Sequence, residues 1–231
     1  MKPFQFKQFQ VAHHQAAMKV GTDGVLLGAW ANQVNPVHVL DVGTGSGLIA
    51  LMLAQRFPNA HVDAVELDDA AANEAQGNFE SSIFSHQLTL HHSDYLSWSA
   101  SKRYDLIVSN PPFFQSSLQS PSASRNLARH TETLPTAHLI KKSSELLTEK
   151  GKLCLIFPAD QLELITRELG QNRLHIHRLY IVRNKQSSAV KRMLVEAGFG
   201  EHPPVQTELY LYEEDGSRSE GYVQLTSEFY L

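Results

Sequence analysis

One cysteine, no long apolar run and only a small charge imbalance exclude several classes of protein at the outset. Cys154 stands alone, so no internal disulfide can form. It lies in an apolar stretch and reads as a small buried hydrophobe in a reducing cytoplasm. No window approaches eighteen consecutive apolar residues, which leaves no membrane-spanning helix to expect. Lys2 and Lys7 open the chain, but Gln and Phe follow where a secretory signal needs an apolar segment. A cytoplasmic protein is therefore expected. The pairs His13-His14 and His91-His92 have no Cys or carboxylate at ligand spacing, so they read as surface and strand residues, and no metal is expected.

The 231 residues, 42% hydrophobic and 19% charged, suit one domain with decorations. The net charge of −4 argues weakly against a polyanionic partner. Its distribution is uneven. Seven basic residues (Arg167, Arg173, Arg178, Arg183, Lys185, Lys191, Arg192) face three acids between positions 160 and 195, whereas eight acids accompany only Arg218 from Glu196 onward. Charge alone leaves two readings of the first stretch: a local phosphate-binding face, or a solvated helix face beside an acidic tail.

From Val37 onward, apolar runs alternate with helical spacing. Strands are predicted at 37–43, 61–68, 88–94, 104–112, 152–158, 174–182 and 191–199. Helices are predicted at 47–57, 70–82, 137–151 with Gly151 as C-cap, and 160–170 with Asp160 as N-cap. Continuous apolar strands separated by helices imply an α/β, doubly wound, mostly parallel sheet covered on both faces. Two pieces lie outside the repeat. The first 36 residues carry Phe4, Phe6 and Phe9 and then a helix-like GVLLGAWA. Residues 201–231 carry a turn signal at Asp215-Gly216 and read as a β-hairpin. Segment 113–136, rich in Ser, Gln and Arg, is a long loop of the kind that usually serves function.

The first strand runs into Asp41-Val42-Gly43-Thr44-Gly45-Ser46-Gly47. Glycines here permit a tight turn and close approach of a ligand. A dinucleotide fingerprint would need glycine at 48, where Leu48 stands, and no Walker lysine follows. With Asp41 ahead of it, the Gly-x-Gly-x-Gly run resembles motif I of class I methyltransferases instead. That likeness implies S-adenosylmethionine, with Asp41, Gly43, Thr44, Gly45 and Gly47 around its cationic amino-acid end. Glu66 ends the second strand, 19 residues after Gly47, where a carboxylate can accept from ribose hydroxyls. Asp94 ends the third; the resemblance assigns it to the adenine amino group, with Leu67 and Tyr95 flanking the ring.

The fourth strand ends in Ser109-Asn110-Pro111-Pro112-Phe113. An exocyclic amine has its lone pair delocalised into the base and attacks only after shifting toward tetrahedral geometry. Two acceptors on its two N–H groups favour that shift: the Asn110 side-chain carbonyl and the Pro111 backbone carbonyl. The Pro111-Pro112 pair restricts the backbone, so both are held. Phe113 offers a stacking face to a flipped base.

The segment Met18-Lys19-Val20-Gly21-Thr22-Asp23-Gly24-Val25-Leu26-Leu27-Gly28-Ala29-Trp30, with Asn110–Phe113 and Ala128-Arg129-His130, resembles the bacterial valine-tRNA adenine-N6 methyltransferases over essentially the whole chain. The resemblance implies a seven-stranded class I methyltransferase core (37–200) that methylates the adenosine 3′ of the anticodon. It implies that Lys19-Val20-Gly21-Thr22-Asp23 folds over the cofactor, with Thr22 as helix N-cap and carboxylate contact and Asn110 beside the cofactor. Arg125, Arg129 and His130, which follow the fourth strand, read either as holding phosphates around the flipped base or as a solvated loop. No obligate protein partner is implied. Three other methylation chemistries compete. Protein glutamine-N5 methylation needs a helical domain for which 36 leading residues leave little room. Ribosomal guanine-N2 enzymes often carry a second, degenerate half, and DNA adenine enzymes a recognition insert. A non-catalytic RNA-binding module would not need an intact Asp41–Gly47 and Asn110–Phe113.

Overall fold

The computed structural model describes residues 2–13, 19–111 and 135–231. The chain begins with a small antiparallel hairpin, β1 (Phe4–Gln5) and β2 (Gln10–Val11), followed by α1 (Thr22–Trp30). The repeating part follows as β3 (His38–Val42), α2 (Leu48–Arg56), β4 (His61–Glu66), α3 (Asp69–Glu80), β5 (Leu88–His92) and β6 (Tyr104–Ser109). Then come α4 (Thr136–Leu146), β7 (Leu147–Pro158), α5 (Leu162–Gln171), β8 (His175–Arg183), β9 (Val190–Gly198), β10 (Val205–Tyr210) and α6 (Glu220–Thr226).

Eight of these strands form one sheet in the order β10-β8-β9-β7-β6-β3-β4-β5. Only β9 runs against its neighbours β7 and β8; the remaining pairings are parallel. Successive residues of a strand point to opposite faces, and here both faces are apolar. Leu106 and Val108 join one buried layer with α1 and α2, while Ile107 joins the other with Leu139, Leu153 and Ile165. This explains why the strands read as unbroken hydrophobic runs. The N-terminal aromatics close the first layer: Phe6 stacks on Phe9 at 4.7 Å and on Tyr230 at 5.8 Å. Among the described residues no helix is long and apolar enough to cross a membrane.

Several expectations need correction. The sheet has eight strands, not seven, because Val205–Tyr210 pairs with the open edge of β8. The expected C-terminal hairpin reduces to one antiparallel bridge, Tyr212 with Arg218, around a turn at Gly216. Beyond it the chain is helical, because the Ser219 hydroxyl accepts from Tyr222 N–H as an N-cap and Tyr222 and Thr226 are buried. Gly151 is not a C-cap. The helix stops at Leu146, and residues 148–151 bulge out of the β6/β7 pairing, since Tyr104 pairs with Leu147 but Leu106 pairs with Lys152. A Cβ at Gly151 would come within 2.7 Å of the Tyr104 carbonyl oxygen, so only glycine fits the bulge. Asp160 sits in a 3-10 turn, and Gln161, not Asp160, is the N-cap of α5.

One buried carboxylate fixes the β4/β5/β6 side of the sheet. Asp63, 2% exposed, accepts from Lys102 Nζ at 2.8 Å, Tyr104 Oη at 2.9 Å and His91 Nε2 at 2.9 Å. Burial alone would raise its pKa, but these three hydrogen bonds outweigh burial and hold it below the ordinary carboxylate value. A depressed pKa contributes stability above the unfolded value, near 3.9, that is lost as pH falls through the folded value. Asp63→Asn should therefore cost about 3 kcal/mol or more at pH 7, as expected for one partner removed from a buried ionic cluster. In thermal melts the gap between wild type and variant should narrow as pH falls below about 4, where the carboxyl of the unfolded chain takes up its proton first; a gap independent of pH contradicts this assignment.

Candidate active site

The strand order reverses direction at β3: β4 lies on one side of it and β6 on the other. Ligands bind at such switch points, beyond the carboxyl ends of the strands. The Gly43–Gly47 loop leaves β3 and Asn110 leaves β6 at adjacent positions, since Val42 pairs with Ser109. Ser109 is buried, and its hydroxyl donates to the Val42 carbonyl at 2.8 Å, tying the two loops together where they start.

Gly43, Gly45 and Gly47 have φ of 69°, 57° and 83°, the left-handed region that disfavours other residues. Space beside the first two is open, with no atom within 4 Å of where a Cβ would stand, whereas a Cβ at Gly47 would overlap the Phe79 ring. The loop thus exposes backbone on one side and packs tightly on α3 on the other. Asn78, 4% exposed, holds it from below, donating to the Ser46 carbonyl at 2.8 Å and exchanging hydrogen bonds with Ala12 backbone at 2.9 Å.

Asp41 is fully buried. One oxygen accepts from Thr44 Oγ1 at 2.6 Å and from Ala50 N–H at 3.1 Å; the other, Oδ1, has no partner. Burial pushes the carboxyl up to about 7, against the lowering effect of those two donors. A buried oxygen without a donor beside a loop with open backbone fits a cationic ligand. Glu66 ends β4 and takes three backbone N–H groups, from Gly45 at 2.8 Å and from Leu67 and Asp68 at 2.9 Å each. An ionised carboxylate has about four acceptor sites, so capacity for a hydroxyl remains. Asp94 follows β5 and accepts from Leu96 N–H at 2.9 Å. Leu67 is 53% exposed beside Glu66, and Leu96 is 38% exposed beside Asp94, giving two apolar surfaces near the two acids.

Tyr95 does not provide such a surface. It is 4% exposed in the second core layer, and its hydroxyl is hydrogen-bonded to Ser143 at 3.0 Å. Lys142 of α4 holds the same turn, donating to the Leu96 carbonyl at 3.0 Å and to the Trp98 carbonyl. Thr22 is the first helical residue of α1 and Gly21 is the N-cap, with no side-chain cap bond, so the expected capping by Thr22 does not occur. Lys19 and Thr22 are exposed just before and at the start of α1. Asn110 is half-buried and Pro111 buried. Pro112, Phe113, Arg125, Arg129 and His130 lie outside the described residues.

The basic stretch is not one charged face. Arg178 and Lys152 both reach Glu196, at 3.3 and 2.9 Å; Arg183 reaches Glu208 at 3.6 Å; Arg167 reaches Glu168 at 3.0 Å. Arg178 and Arg183 thus pair with acids of the C-terminal segment, whereas Arg167 pairs within its own helix. Ser109, Asn78, Leu96 and Lys142 were missed in the sequence. Ser109 and Asn78 had a signal, a polar residue within an apolar pattern; Lys142 had none, because its partners lie more than 40 positions away.

Residues 15–171 match the model of the methyltransferase small domain family. A tRNA1(Val) (adenine(37)-N6)-methyltransferase of Porphyromonas gingivalis is 45% identical over 98% of this chain and 94% of its own length. One of the same name from Vibrio campbellii is 40% identical over 100% and 96%. Among solved structures, a predicted O-methyltransferase, protein Atu636 of Agrobacterium tumefaciens, superposes with a TM-score of 0.70 at 19% identity, covering 90% of this chain and 96% of that one. The glycopeptide N-methyltransferase MtfA in complex with S-adenosylmethionine does so with a TM-score of 0.54 at 15% identity, covering 79% and 89%. At these identities the structural likeness is one of fold. Sequence, fold and site agree: the chain belongs to the methyltransferase small domain family, in the group of the bacterial tRNA1(Val) (adenine(37)-N6)-methyltransferases.

Proposed function

We propose that this chain methylates N6 of adenosine 37, the position 3′ of the anticodon, in valine tRNA, using S-adenosylmethionine. The observation that carries the reading is the pairing of Val42 with Ser109, which sets the glycine loop and Asn110 side by side at one sheet edge. Bound there, the cofactor supplies an electrophilic methyl group. Gly43, Thr44, Gly45 and Gly47 line its amino-acid end beside Asp41, Glu66 accepts from the ribose, and Asp94 accepts from the adenine amine. Leu67 and Leu96 cover the two faces of that adenine, and Leu96 replaces Tyr95 in this role. The first 36 residues form a lid on the 37–200 core, in which Lys19 and Thr22 meet the cofactor's carboxylate.

Opposite them, the Asn110 carboxamide oxygen and the Pro111 carbonyl accept the two hydrogens of the target amine and aim its lone pair at the methyl group. Adjacent strands lie about 4.8 Å apart, and the adjacency of β3 and β6 supports acceptors already placed beside the cofactor before substrate arrives. Positioning of this kind supplies most of the rate, and no general base is needed, because the methylated amine is acidic and releases its proton to water. Phe113 stacks on the flipped base, and Arg125, Arg129 and His130 hold flanking phosphates. The tRNA of the cytoplasm is the substrate pool.

Labelled methyl transfer to tRNA lacking its own modifications should yield N6-methyladenosine. Label in N2-methylguanosine would transfer the reading to guanine. Asn110→Ala should lower turnover at least about 100-fold, the scale seen when one preorganised polar contact to the reacting group is lost, and change cofactor affinity less than two-fold. Equal loss of both would refute this division of roles.

Asp41 generates a pH prediction. Its raised pKa means the free protein holds a proton on Asp41 up to about pH 7. A cationic ligand nearby favours the ionised form, so cofactor affinity should rise with pH through that value. In calorimetric titrations Asp41→Asn should bind more weakly and lose this component of the pH dependence. An unchanged pH profile in the variant would show that Asp41 stays ionised or stands apart from the cofactor.

A further inference from the structure

The N-terminal segment and the far side of the sheet meet in one ion pair. Arg192 Nε donates to Asp23 Oδ2 at 2.7 Å, across 169 positions of sequence. Among the described residues it is the one ion pair that joins the segment before β3 to the sheet. Both partners are 35% exposed. We propose that Arg192 is a positioning residue for cofactor binding, clamping the Lys19–Asp23 segment against the glycine loop through Asp23. This rests on the reading of that segment as part of the cofactor site.

Placement supports the role at each step. Arg192 pairs with Pro158, the last residue of β7, and β9 runs antiparallel to it. Arg192 therefore sits at the carboxyl edge of the parallel strands, the edge that carries Gly43–Gly47 and Asn110. Asp23 lies in the first turn of α1. That turn abuts the glycine loop: a Cβ on Gly24 would stand 3.1 Å from Leu48 Cδ2, and Leu48 follows Gly47. The pair thus spans from the strand two places beyond β6 to the segment beside the cofactor loop.

The rest of α1 does not need the pair. Val25 to Trp30 are buried, whereas Lys19, Gly21 and Thr22 are exposed. Gly21, as N-cap, has no side chain to hold the first turn. Its backbone carbonyl accepts from Val25 N–H at 3.2 Å, and the Val20 N–H donates to His13 Nδ1 at 3.3 Å. The Asp23–Arg192 bond is the side-chain restraint on that turn from the sheet. A segment held in its bound conformation has already lost the freedom that binding would otherwise cost, which appears as tighter binding. An exposed pair adds little to global stability, so its effect should be visible in cofactor affinity and not in folding. Arg178 and Arg183 of the same stretch differ, because they compensate acids carried by the sheet strands themselves.

The test is a set of variants, Arg192→Ala, Arg192→Lys, Asp23→Asn and the Arg192→Ala/Asp23→Asn double, titrated with S-adenosylmethionine by calorimetry and assayed with saturating tRNA. The expected result is a cofactor Kd and KM raised roughly three- to five-fold in each single Ala or Asn variant, the scale of one exposed pair. The turnover number should stay within two-fold, Arg192→Lys should recover most of the affinity, and the double variant should be no worse than the singles. The wild-type advantage should shrink at high salt, where an exposed pair is screened. Unchanged cofactor affinity in Arg192→Ala would overturn the proposal, as would a loss confined to tRNA KM, which would place Arg192 on the RNA. Lys19→Ala and Thr22→Ala separate the two levels. If these weaken cofactor binding while Arg192→Ala does not, only the clamp fails; if neither affects it, the reading of the segment as a cofactor lid fails first.

Discussion

The pairing of β3 with β6 is the constraint on which the site depends. It is pinned at both ends. Asp105, at the start of β6, accepts from the Val37 and His38 N–H groups at 2.9 and 3.1 Å, and Ser109, at its end, donates to Val42 at 2.8 Å. A one-residue slip would turn every side chain to the other face. Because both faces are apolar, the hydrophobic pattern alone resists such a slip weakly, and the polar end contacts supply what the pattern does not. With register set, the glycine loop and the Asn110–Pro111 pair emerge on neighbouring strands.

Electrostatics separate the same way, by place. Asp41, Glu66 and Asp94 gather at the carboxyl edge on three adjacent strands or the loops that leave them, and suit a cationic, hydroxyl-rich cofactor. Arg178 instead serves the sheet: Glu196 lies 1% exposed between it and Lys152, and Arg178 also stacks 4.4 Å over Trp30. A buried carboxylate of this kind requires its partners to remain in place.

The parallel core was legible because burial on both faces leaves continuous apolar runs, as in VHVLDV and YDLIVS, and because glycines and prolines end them. The placement of the candidate site was legible for the same reason: Gly43–Gly47 and Asn110–Pro111 stand where strands end. What was not legible depended on distant partners. Val205–Tyr210 has four exposed residues in six and becomes a strand because the β8 edge is open. The 148–151 bulge hid behind a continuous helical spacing that ended on a glycine. Tyr95 looked like a binding residue by its position after Asp94, yet Ser143 on α4 draws it into the core. The charge count over 160–195 gave no hint that Arg178 and Arg183 pair with Glu196 and Glu208, or Arg192 with Asp23.

The central claim is that Asn110 and Pro111 receive the target amine. The most direct measurement is a crystal structure with S-adenosylhomocysteine and a valine-tRNA anticodon stem-loop. The expected result is adenine 37 flipped from its stack, with its N6 about 3 Å from both the Asn110 carboxamide oxygen and the Pro111 carbonyl oxygen. An adenine lodged elsewhere, or an N6 touching neither oxygen while the cofactor product fills the loop, would contradict it.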